Sequence, residues 1–376
     1  MRVVANVPRA HFTGGVELSV FYTLRGLSER GHEVHLLYGE GGDLVARYKD
    51  FCKSVTHIEP WDFFFPAGRL AGLREHARVL PAAAKAARRR PDVYYMNRSF
   101  AAVWALDAAM VAPAPVVCHW RGPMTPPARY LPRLAKRVSR FLANSDFTRQ
   151  GWLKVGIDPA KTAVVYPGID PDKHPFGGQP EREAARQLLG VDQDAFVTVY
   201  VGRLDPEKGV EVLFDAWGRL GAGPGEAELL VVGEVVTTAE REAVLARLQA
   251  MAPKGSVRFL GTPPDTVPAL HAADVAVVPS VYEEPFGRTV IEGLATGRPV
   301  IASRTGGIPE ILAGPLDRFL FEKGDAQALA DQLRAAMGWQ QREPELAPLC
   351  RARVTDNFTL KRMVDGVETN LVRAVG

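Results

Sequence analysis

The sequence predicts an α/β protein made of two doubly wound domains, each built on a parallel sheet. Short β-rich apolar runs alternate with longer stretches of helical periodicity, and this alternation occurs twice along the 376 residues. Nearly continuous apolar strands joined by helical connections are typical of parallel sheets that are covered on both faces. At roughly 100–200 residues per domain, the length also favours two domains. We expect the two domains to face each other across a cleft.

Twelve strands are predicted, six on each side of a segment rich in proline and glycine at residues 167–178. We therefore expect a first domain over 1–172 and a second over 173–356, followed by a closing helix that starts near residue 357. The predicted strands are 1–7, 32–38, 92–95, 115–119, 141–144 and 163–166 in the first half, and 196–202, 228–233, 256–260, 274–279, 299–302 and 318–321 in the second.

The composition excludes several classes of protein. The net charge of +3 is too small to predict nucleic-acid binding by itself. Cys52, Cys118 and Cys350 are odd in number and far apart, so we expect neither a zinc site nor a disulfide framework, and a reducing cytoplasm is favoured. The longest apolar region, 100–120, is interrupted by Asp107 and two prolines, which indicates a buried helix and strand rather than a membrane span.

The loops that follow strands are the places to search for a site, because ligands of open α/β sheets bind beyond the carboxyl ends of the strands. Gly14 and Gly15 lie between the first strand and a helix predicted over residues 18–27. Two glycines let backbone amides approach an anion closely at a helix start. A tight turn that binds nothing is an equally good interpretation of this pair.

A second loop, after the strand at 196–202, carries Arg203 and Lys208. A guanidinium fork and an ammonium point charge suit a diphosphate, whose charge is spread over several oxygens. The local sequence alone favours the alternative, a solvated loop with incidental charges, because basic loop residues are common.

A third loop, after the strand at 274–279, carries Glu284, and Glu292 lies on a helix predicted to begin near Arg288. Carboxylates accept hydrogen bonds from vicinal hydroxyls, so two spaced carboxylates suit a ribose and a sugar. The amides of residues 286–289 lie at a helix N-terminus, which favours an anion. Taken separately, the two glutamates are just as compatible with solvated surface positions.

Together, these motifs resemble the retaining glycosyltransferases of family 4, which have the GT-B fold of two Rossmann-like domains and an E-x7-E signature. The resemblance spans most of the chain and is strongest over residues 197–310. It rests on Gly14-Gly15 with Glu17, residues 165–170, Gly202-Arg203 with Lys208-Gly209, Glu284-Pro285-Phe286-Gly287 with Glu292, residues 297–303 and residues 305–310.

The resemblance implies a role for each charged residue of these loops. Arg203 and Lys208 would hold the diphosphate of a nucleotide-sugar and stabilise the charge that develops on it as the glycosidic bond breaks. Glu292 would bind the ribose hydroxyls, and Glu284 the transferred sugar. Arg288 stands where an aliphatic residue is common in the family, and it could add a contact to a phosphate or to the sugar.

The remaining site residues are also implied by the resemblance. Gly14 and Gly15 would lie near the diphosphate, the main chain at Leu260 would contact the base, and His119 would lie near the sugar. For His119, the alternative is a buried, hydrogen-bonded histidine that serves only the structure. The backbone contacts to the phosphates and the sugar would come from Phe286, Gly287, Arg288 and Thr289.

The activity implied by the family is transfer of a hexose-type sugar from a nucleoside-diphosphate sugar to an acceptor hydroxyl, with retention and without a metal or other cofactor. A nucleotide-sugar epimerase and a non-catalytic nucleotide-sugar-binding protein are the alternatives. The base, the sugar, the acceptor (a glycan, a lipid-linked molecule or a secondary metabolite) and the oligomeric state stay open.

The acceptor is expected on the first domain, to which the closing helix at 357–376 would return in relatives with this fold. An aromatic segment at 61–66 and basic residues at Lys85, 88–90 and 129–140 could form an anionic-lipid surface or a lipid-linked acceptor site. Solvated helix faces and core aromatics are the favoured interpretation of these segments. We expect a cytoplasmic protein, with peripheral contact to the inner face of a membrane left open.

Overall fold

The computed structural model describes residues 1–11, 14–65, 68–122, 130–223, 225–235, 241–252 and 256–376. Thr13, Pro66 and Arg129, which belong to three of the segments singled out in the sequence, lie outside these ranges. The chain divides into two compact units: unit 1 comprises Met1–Gly168 and Leu360–Gly376, and unit 2 comprises Ile169–Thr359. The sequence predicted the first boundary after residue 172 and the second after residue 356. The structure places these boundaries after Gly168 and after Thr359.

Unit 1 is built on a seven-stranded sheet with the order β3-β2-β1-β4-β5-β6-β7, in which every pair of neighbours is parallel. Its strands are β1 (Arg2–Arg9), β2 (Glu33–Glu40), β3 (Ser54–His57), β4 (Val93–Met96), β5 (Val116–Trp120), β6 (Arg140–Ala143) and β7 (Thr162–Val164). Its helices are α1 (Gly15–Glu29), α2 (Leu44–Lys49), α3 (Arg69–Ala87), α4 (Ser99–Ala108), α5 (Leu131–Arg137), α6 (Asp146–Lys154) and α16 (Leu360–Val375).

Unit 2 is built on a six-stranded parallel sheet with the order β10-β9-β8-β11-β12-β13. Its strands are β8 (Phe196–Val201), β9 (Ala227–Val232), β10 (Val257–Gly261), β11 (Val275–Val278), β12 (Val300–Ser303) and β13 (Leu320–Phe321). Its helices are α7 (Gln179–Leu189), α8 (Val210–Leu220), α9 (Arg241–Met251), α10 (Val267–Ala272), α11 (Arg288–Ala295), α12 (Ile308–Ile311), α13 (Ala326–Ala336), α14 (Trp339–Arg342) and α15 (Leu346–Asn357).

The structure confirms all twelve predicted strands, with small shifts at their ends. It adds one strand that the sequence pattern did not predict, β3, which is a short edge strand of half-buried and exposed residues paired only with β2. The last strand, β13, begins at Leu320 rather than Arg318, because Gly314–Phe319 form a 3₁₀ helix.

One helix boundary in unit 1 corrects the sequence prediction. The first helix was expected over residues 18–27, but α1 begins at Gly15, so Gly15 is helical and only Gly14 remains in the preceding loop. The amide of Leu18 already donates to the carbonyl of Gly14 at 3.1 Å. Glu17 then lies in the first turn, where a carboxylate interacts favourably with the helix dipole.

The core of unit 1 includes residues from α16, far away in sequence. Met363, Val364, Val367 and Leu371 are buried in one cluster with the strand and α1 residues of this unit. Val364 approaches so closely that a Cβ on Gly26 of α1 would lie 2.6 Å from its side chain. The closing helix therefore forms an integral layer of unit 1.

The aromatic segment at 61–65 is only partly exposed. Phe63 is buried, and its ring makes edge contacts with Phe65 and Tyr130, while Trp61 packs edge-on against Phe100. Phe64 alone in this segment is largely exposed among its described residues. Most of the aromatic segment therefore packs against the core of unit 1, as the favoured interpretation of the sequence predicted.

None of the helices in the described ranges combines the length and apolarity that crossing a bilayer requires.

A buried carboxylate anchors the start of β11. Asp274 accepts hydrogen bonds from Arg186 at 2.8 Å, Arg182 at 3.0 Å, Gln340 at 2.6 Å and the amide of Val197 at 2.7 Å. Asp274 is 3% exposed and Arg186 is fully buried. This network ties α7 and α14 to β8 and β11, the two central strands of the sheet.

We predict that Asp274→Ala destabilises the protein by about 3–5 kcal/mol, because it leaves the Arg186 guanidinium buried without its counter-charge. Asp215→Ala is the matched control, since it removes an exposed carboxylate that pairs with Arg219 four residues later on α8. That change should cost less than about 1 kcal/mol. Urea unfolding curves measure both free energies, and similar losses would contradict the prediction.

Candidate functional site

The topology of the second sheet brings two of the predicted loops together. β8 and β11 are neighbours in the sheet although β9 and β10 separate them in sequence, so the loops that follow them lie side by side. Lys208, on the loop after β8, donates to Oε2 of Glu284, on the loop after β11, at 2.8 Å. Both side chains are largely but not fully buried, with 19% and 16% exposed.

Tyr282 and Ser280 complete this pair, and neither was singled out from the sequence. The Lys208 ammonium donates to the Tyr282 hydroxyl at 3.0 Å and lies 4.7 Å from the centre of its ring. The Ser280 hydroxyl donates to Glu284 at 3.3 Å. Burial and the nearby Glu284 carboxylate raise the pKa of Tyr282, so its hydroxyl stays protonated at neutral pH.

Arg203 is the most exposed of the predicted charged residues in unit 2. Its guanidinium pairs with Asp205 at 2.5 Å and with Glu207 at 2.6 Å, both on its own loop. Its backbone carbonyl accepts a hydrogen bond from the hydroxyl of Tyr200, at the end of β8. The loop therefore holds Arg203 through its own carboxylates, and it is not in an ion pair with Glu284 or Glu292.

The helix α11 begins at Arg288, as the sequence predicts. Nε of Arg288 donates to Oε1 of Glu292 at 2.8 Å, one turn further along the helix. Nη1 of Arg288 is buried and has no hydrogen-bond partner in the described part of the chain. The pairing leaves Glu292 bound to Arg288 rather than free, and it leaves the Nη1 amino group of the guanidinium without a partner among the described residues.

Two glycines let the loops of this site approach each other closely. A Cβ on Gly209 would lie 1.9 Å from the carbonyl oxygen of Pro279, and one on Gly306 would lie 1.8 Å from that of Glu284. Both glycines have positive φ, +73° and +56° respectively. The amide of Gly307 donates to the Glu284 carbonyl at 2.9 Å, so the loop after β12 supports the Glu284 backbone directly.

The backbone positions predicted for donor contacts are in different environments. The Phe286 side chain is buried against Phe358, which leaves only its backbone available. Gly287 is the N-cap of α11 with φ of +106°, and Thr289 lies in the first turn. Leu260 lies on the edge strand β10, two strands away from β8.

In unit 1, a polar cluster lies at the carboxyl ends of β4 and β5. His119 is 2% exposed, and its Nδ1 is 2.7 Å from the Tyr95 hydroxyl and 3.1 Å from Nη2 of Arg121. Nη1 of Arg121 donates to the side-chain oxygen of Asn97 at 2.7 Å. Asn97 in turn bonds twice to Asn6 of β1, so the cluster spans the place where β1 meets β4.

The Arg121 contact fixes the protonation state of His119. A guanidinium can only donate, so Nδ1 must carry a lone pair and the proton of the neutral ring lies on Nε2. Burial and the positive charge of Arg121 lower the pKa of His119 well below its ordinary value. Nε2 is buried and lacks a hydrogen-bond partner among the described residues, so its N–H group has no acceptor there.

The glycine pair of unit 1 lies beside a carboxylate. A Cβ on Gly14 would lie 2.3 Å from Oε2 of Glu17, and Oε1 of Glu17 lies 4.0 Å from Arg98. Gly15 is the first residue of α1, and its carbonyl accepts from the Ser19 hydroxyl at 2.6 Å. The described residues contain no group of three or more His, Cys, Asp or Glu side chains that could hold a metal ion.

Of the nine predicted residues in unit 2, the structure brings Lys208 into contact with Glu284 and Arg288 into contact with Glu292. Arg203 lies on the same loop as Lys208, whereas Leu260 lies within β10, which β9 separates from β8. The residues that sequence reasoning missed are Tyr282, Ser280, Asp205 and Glu207 in unit 2, and Tyr95, Asn97 and Asn6 in unit 1. All of these residues except Asn6 lie at or shortly after the carboxyl end of a strand. This position in the sequence could have marked them as candidates, because ligands of open α/β sheets bind there.

The chain matches two protein-family models, described as Glycosyltransferase Family 4 over residues 13–173 and Glycosyl transferases group 1 over residues 195–338. A similar curated protein is the D-inositol 3-phosphate glycosyltransferase of Geodermatophilus obscurus, 34% identical over 246 residues, which are 62% of this chain and 52% of that protein. The enzyme of the same description from Mycobacterium tuberculosis is 29% identical over 256 residues, 65% of this chain and 50% of the relative. The aligned part of the chain thus spans about half the length of the curated relatives it matches.

Solved structures resemble almost the whole chain. A crystal structure of Anabaena HepE in complex with UDP and glucose has a TM-score of 0.78 at 23% identity and covers 99% of both chains. A glycosyltransferase from Rickettsia africae has a TM-score of 0.83 at 21% identity and covers 100% of this chain and 98% of its own. At these identities, the likeness shows the fold.

We predict that Gly306→Ala destabilises the protein more than Gly190→Ala does. Gly190 also has positive φ, +62°, but a Cβ there would meet nothing within 4 Å, so only backbone strain of about 1–2 kcal/mol is expected. At Gly306, the clash with the Glu284 carbonyl adds roughly 1–3 kcal/mol. Urea unfolding of both variants tests this, and equal losses would show that the Glu284 loop moves away at no cost.

We predict that His119 makes the protein less stable as the pH falls below 6.5, the ordinary pKa of histidine. Its folded-state pKa is lowered, so in this range the unfolded chain binds a proton that the folded protein does not. The free energy of unfolding should then fall by up to ~1.4 kcal/mol per pH unit from this group alone. Compared with the wild type, His119→Asn should have a shallower slope between pH 5 and 6.5, and parallel profiles would contradict the assignment.

Proposed function

Because this chain belongs to the glycosyltransferases of family 4 and has their GT-B fold, we propose that it transfers a hexose-type sugar from a nucleoside-diphosphate sugar to an acceptor hydroxyl, with retention at the anomeric carbon. The observation that carries the proposal is the contact of Lys208 with Glu284. A cation for a leaving phosphate and a carboxylate for sugar hydroxyls lie side by side at the carboxyl edge of the sheet, where such ligands bind.

The charge pattern of unit 2 supports binding of a diphosphate by exchange of ion pairs. Lys208, Arg203 and Arg288 each already interact with carboxylates of the same unit. A diphosphate would replace Glu284 as the partner of Lys208 and would free that carboxylate for the sugar hydroxyls. In the same way, ribose hydroxyls would compete with Arg288 for Glu292, and the released guanidinium would reach a phosphate oxygen.

The proposed reaction requires little covalent chemistry from the protein. The donor already carries a good leaving group, so catalysis consists of stabilising the negative charge that develops on the departing diphosphate. Lys208, Arg203 and the amides at the start of α11 would do this without a metal ion or a cofactor. In unit 1, the Nε2–H group of His119 would donate to a sugar hydroxyl, and the departing phosphate would help to deprotonate the acceptor.

The test is to incubate the protein with labelled UDP-, GDP-, TDP- and ADP-sugars, with EDTA present, and to analyse the products. UDP-glucose is the first donor, because Anabaena HepE has been crystallised with it. D-inositol 3-phosphate is the first acceptor, because the curated relatives are named for it. We expect a new glycoside whose anomeric proton coupling matches that of the donor sugar. An inverted product, an epimerised nucleotide-sugar without acceptor, or binding without turnover would each overturn the proposal.

In the same assay, we predict that Lys208→Ala lowers kcat by about 10²–10³-fold, the usual effect of removing one group that stabilises transition-state charge.

Glu292→Ala should weaken nucleoside-diphosphate binding by about ten-fold, since it removes a charged hydrogen-bond acceptor. Lys323→Ala, an exposed lysine of the same unit, is the matched control and should leave both values unchanged. Isothermal titration with each nucleoside diphosphate measures the binding, and an unaltered affinity of Glu292→Ala would contradict its role.

A further inference from the structure

The helix α3 in unit 1 presents apolar residues to solvent. Leu70, Leu73 and Leu80 are 77%, 67% and 55% exposed, and Ala77 and Ala84 between and beyond them are exposed as well. The spacing of these five residues places them along one side of the helix, which we call the leucine face. The opposite side of α3 is buried: Val79, Ala82, Ala83 and Ala86 belong to the core of unit 1.

The leucine face is unusual because the fold of unit 1 does not need it. The buried side of α3 already provides the packing against α4. Three exposed leucines within four turns of one helix form a contiguous apolar strip, whereas single exposed leucines are common on protein surfaces. Such a strip is typical of a surface that binds another apolar phase or partner.

Phe64, in the segment that precedes α3, is a further exposed apolar residue held against this helix. Its side chain is 64% exposed, and the guanidinium of Arg78 lies 5.0 Å from the centre of its ring. The backbone amide of Phe64 donates to Glu75 of α3 at 2.8 Å, so the residue is attached to the helix rather than remote from it. An aromatic ring and leucines beside cations are the composition of helices that lie in a membrane interface.

The surroundings of the leucine face are basic. α5 lies beside α3, because Arg133 contacts both Asp107 at 3.1 Å and His76 of α3 at 3.3 Å. Lys136 and Arg137 of α5 are exposed, and so are Arg74 of α3 and Arg88, the residue that caps its C-terminus. In the sequence, residues 58–92 and 129–140 together carry twelve arginines and lysines against four acidic residues, in a chain whose net charge is only +3.

We propose that the leucine face and its basic neighbours dock unit 1 on an anionic lipid surface. The leucines enter the boundary between headgroups and acyl chains, while Arg74, Lys136 and Arg137 bind lipid phosphates. Charge complementarity selects this occupant: a second copy of the chain would bring the same positive charge to the contact, whereas an anionic bilayer supplies both the apolar phase and the counter-charge. The docking does not depend on the sugar chemistry of unit 2.

The experiment is flotation of the full chain with phosphatidylcholine vesicles that contain or lack phosphatidylglycerol. We expect binding to the anionic vesicles that weakens as salt is added, and little binding to pure phosphatidylcholine. The triple variant Leu70→Ser, Leu73→Ser, Leu80→Ser should lower the partition onto anionic vesicles by about ten-fold or more, because three apolar side chains no longer enter the bilayer. Leu188→Ser, at a leucine of α7 that is 71% exposed, is the matched control and should change nothing.

A charge variant separates the two components of the surface. Lys136→Gln with Arg137→Gln should weaken binding to the anionic vesicles and reduce its salt dependence, while Lys323→Gln should have no effect. All substituted residues are exposed, so circular dichroism and thermal melting should match the wild type, which excludes unfolding as the cause of lost binding. Absence of binding to anionic vesicles, or undiminished binding of the leucine variant, overturns the proposal. So does a wild-type dimer in sedimentation that the leucine variant converts to a monomer, because the face would then join two copies of the chain.

Discussion

The pairing of β8 with β11 is the constraint on which the candidate site of unit 2 depends. The register aligns Thr198 with Val275 and Tyr200 with Val277, so the two strands end at the same edge of the sheet. Lys208 and Glu284 are 76 positions apart in sequence, and this pairing brings them into contact. In unit 1, the pairing of β1 with β4 likewise brings two residues that are distant in sequence, Asn6 and Asn97, into contact.

The candidate sites of the two units differ in how their charged and polar groups are paired. In unit 2, the cations of the site are matched by carboxylates, so a ligand must exchange ion pairs rather than neutralise isolated charges. In unit 1, Arg121 and Tyr95 hold His119 through one ring nitrogen and leave the other as an unsatisfied donor. The first arrangement avoids an uncompensated cluster of like charge, and the second presents a fixed, neutral hydrogen-bond donor.

Sequence patterns predicted the strands because buried parallel strands are nearly continuous apolar runs, and they predicted the start of α11 because Pro285 and Gly287 oppose a helix. They missed β3, since its four residues at the sheet edge are half-buried or exposed and carry no apolar run. The pairing of Arg288 with Glu292, and the position of Tyr282 against Lys208, depend on side-chain directions that spacing alone does not determine. The exposure of the leucines on α3 depends on which face of the helix packs against α4, and a helix with apolar residues on both sides gives no signal for that choice.

The place of α16 in unit 1 has a consequence for how the chain folds during synthesis. Residues 169–359, which form unit 2, leave the ribosome complete and in one continuous piece, whereas unit 1 is interrupted by them. Until the residues after Thr359 emerge, α1 and the strands beside it have no Met363, Val364, Val367 or Leu371 to cover them. Unit 1 can therefore complete its core only after the whole of unit 2 has been synthesised, although most of unit 1 precedes unit 2 in the sequence.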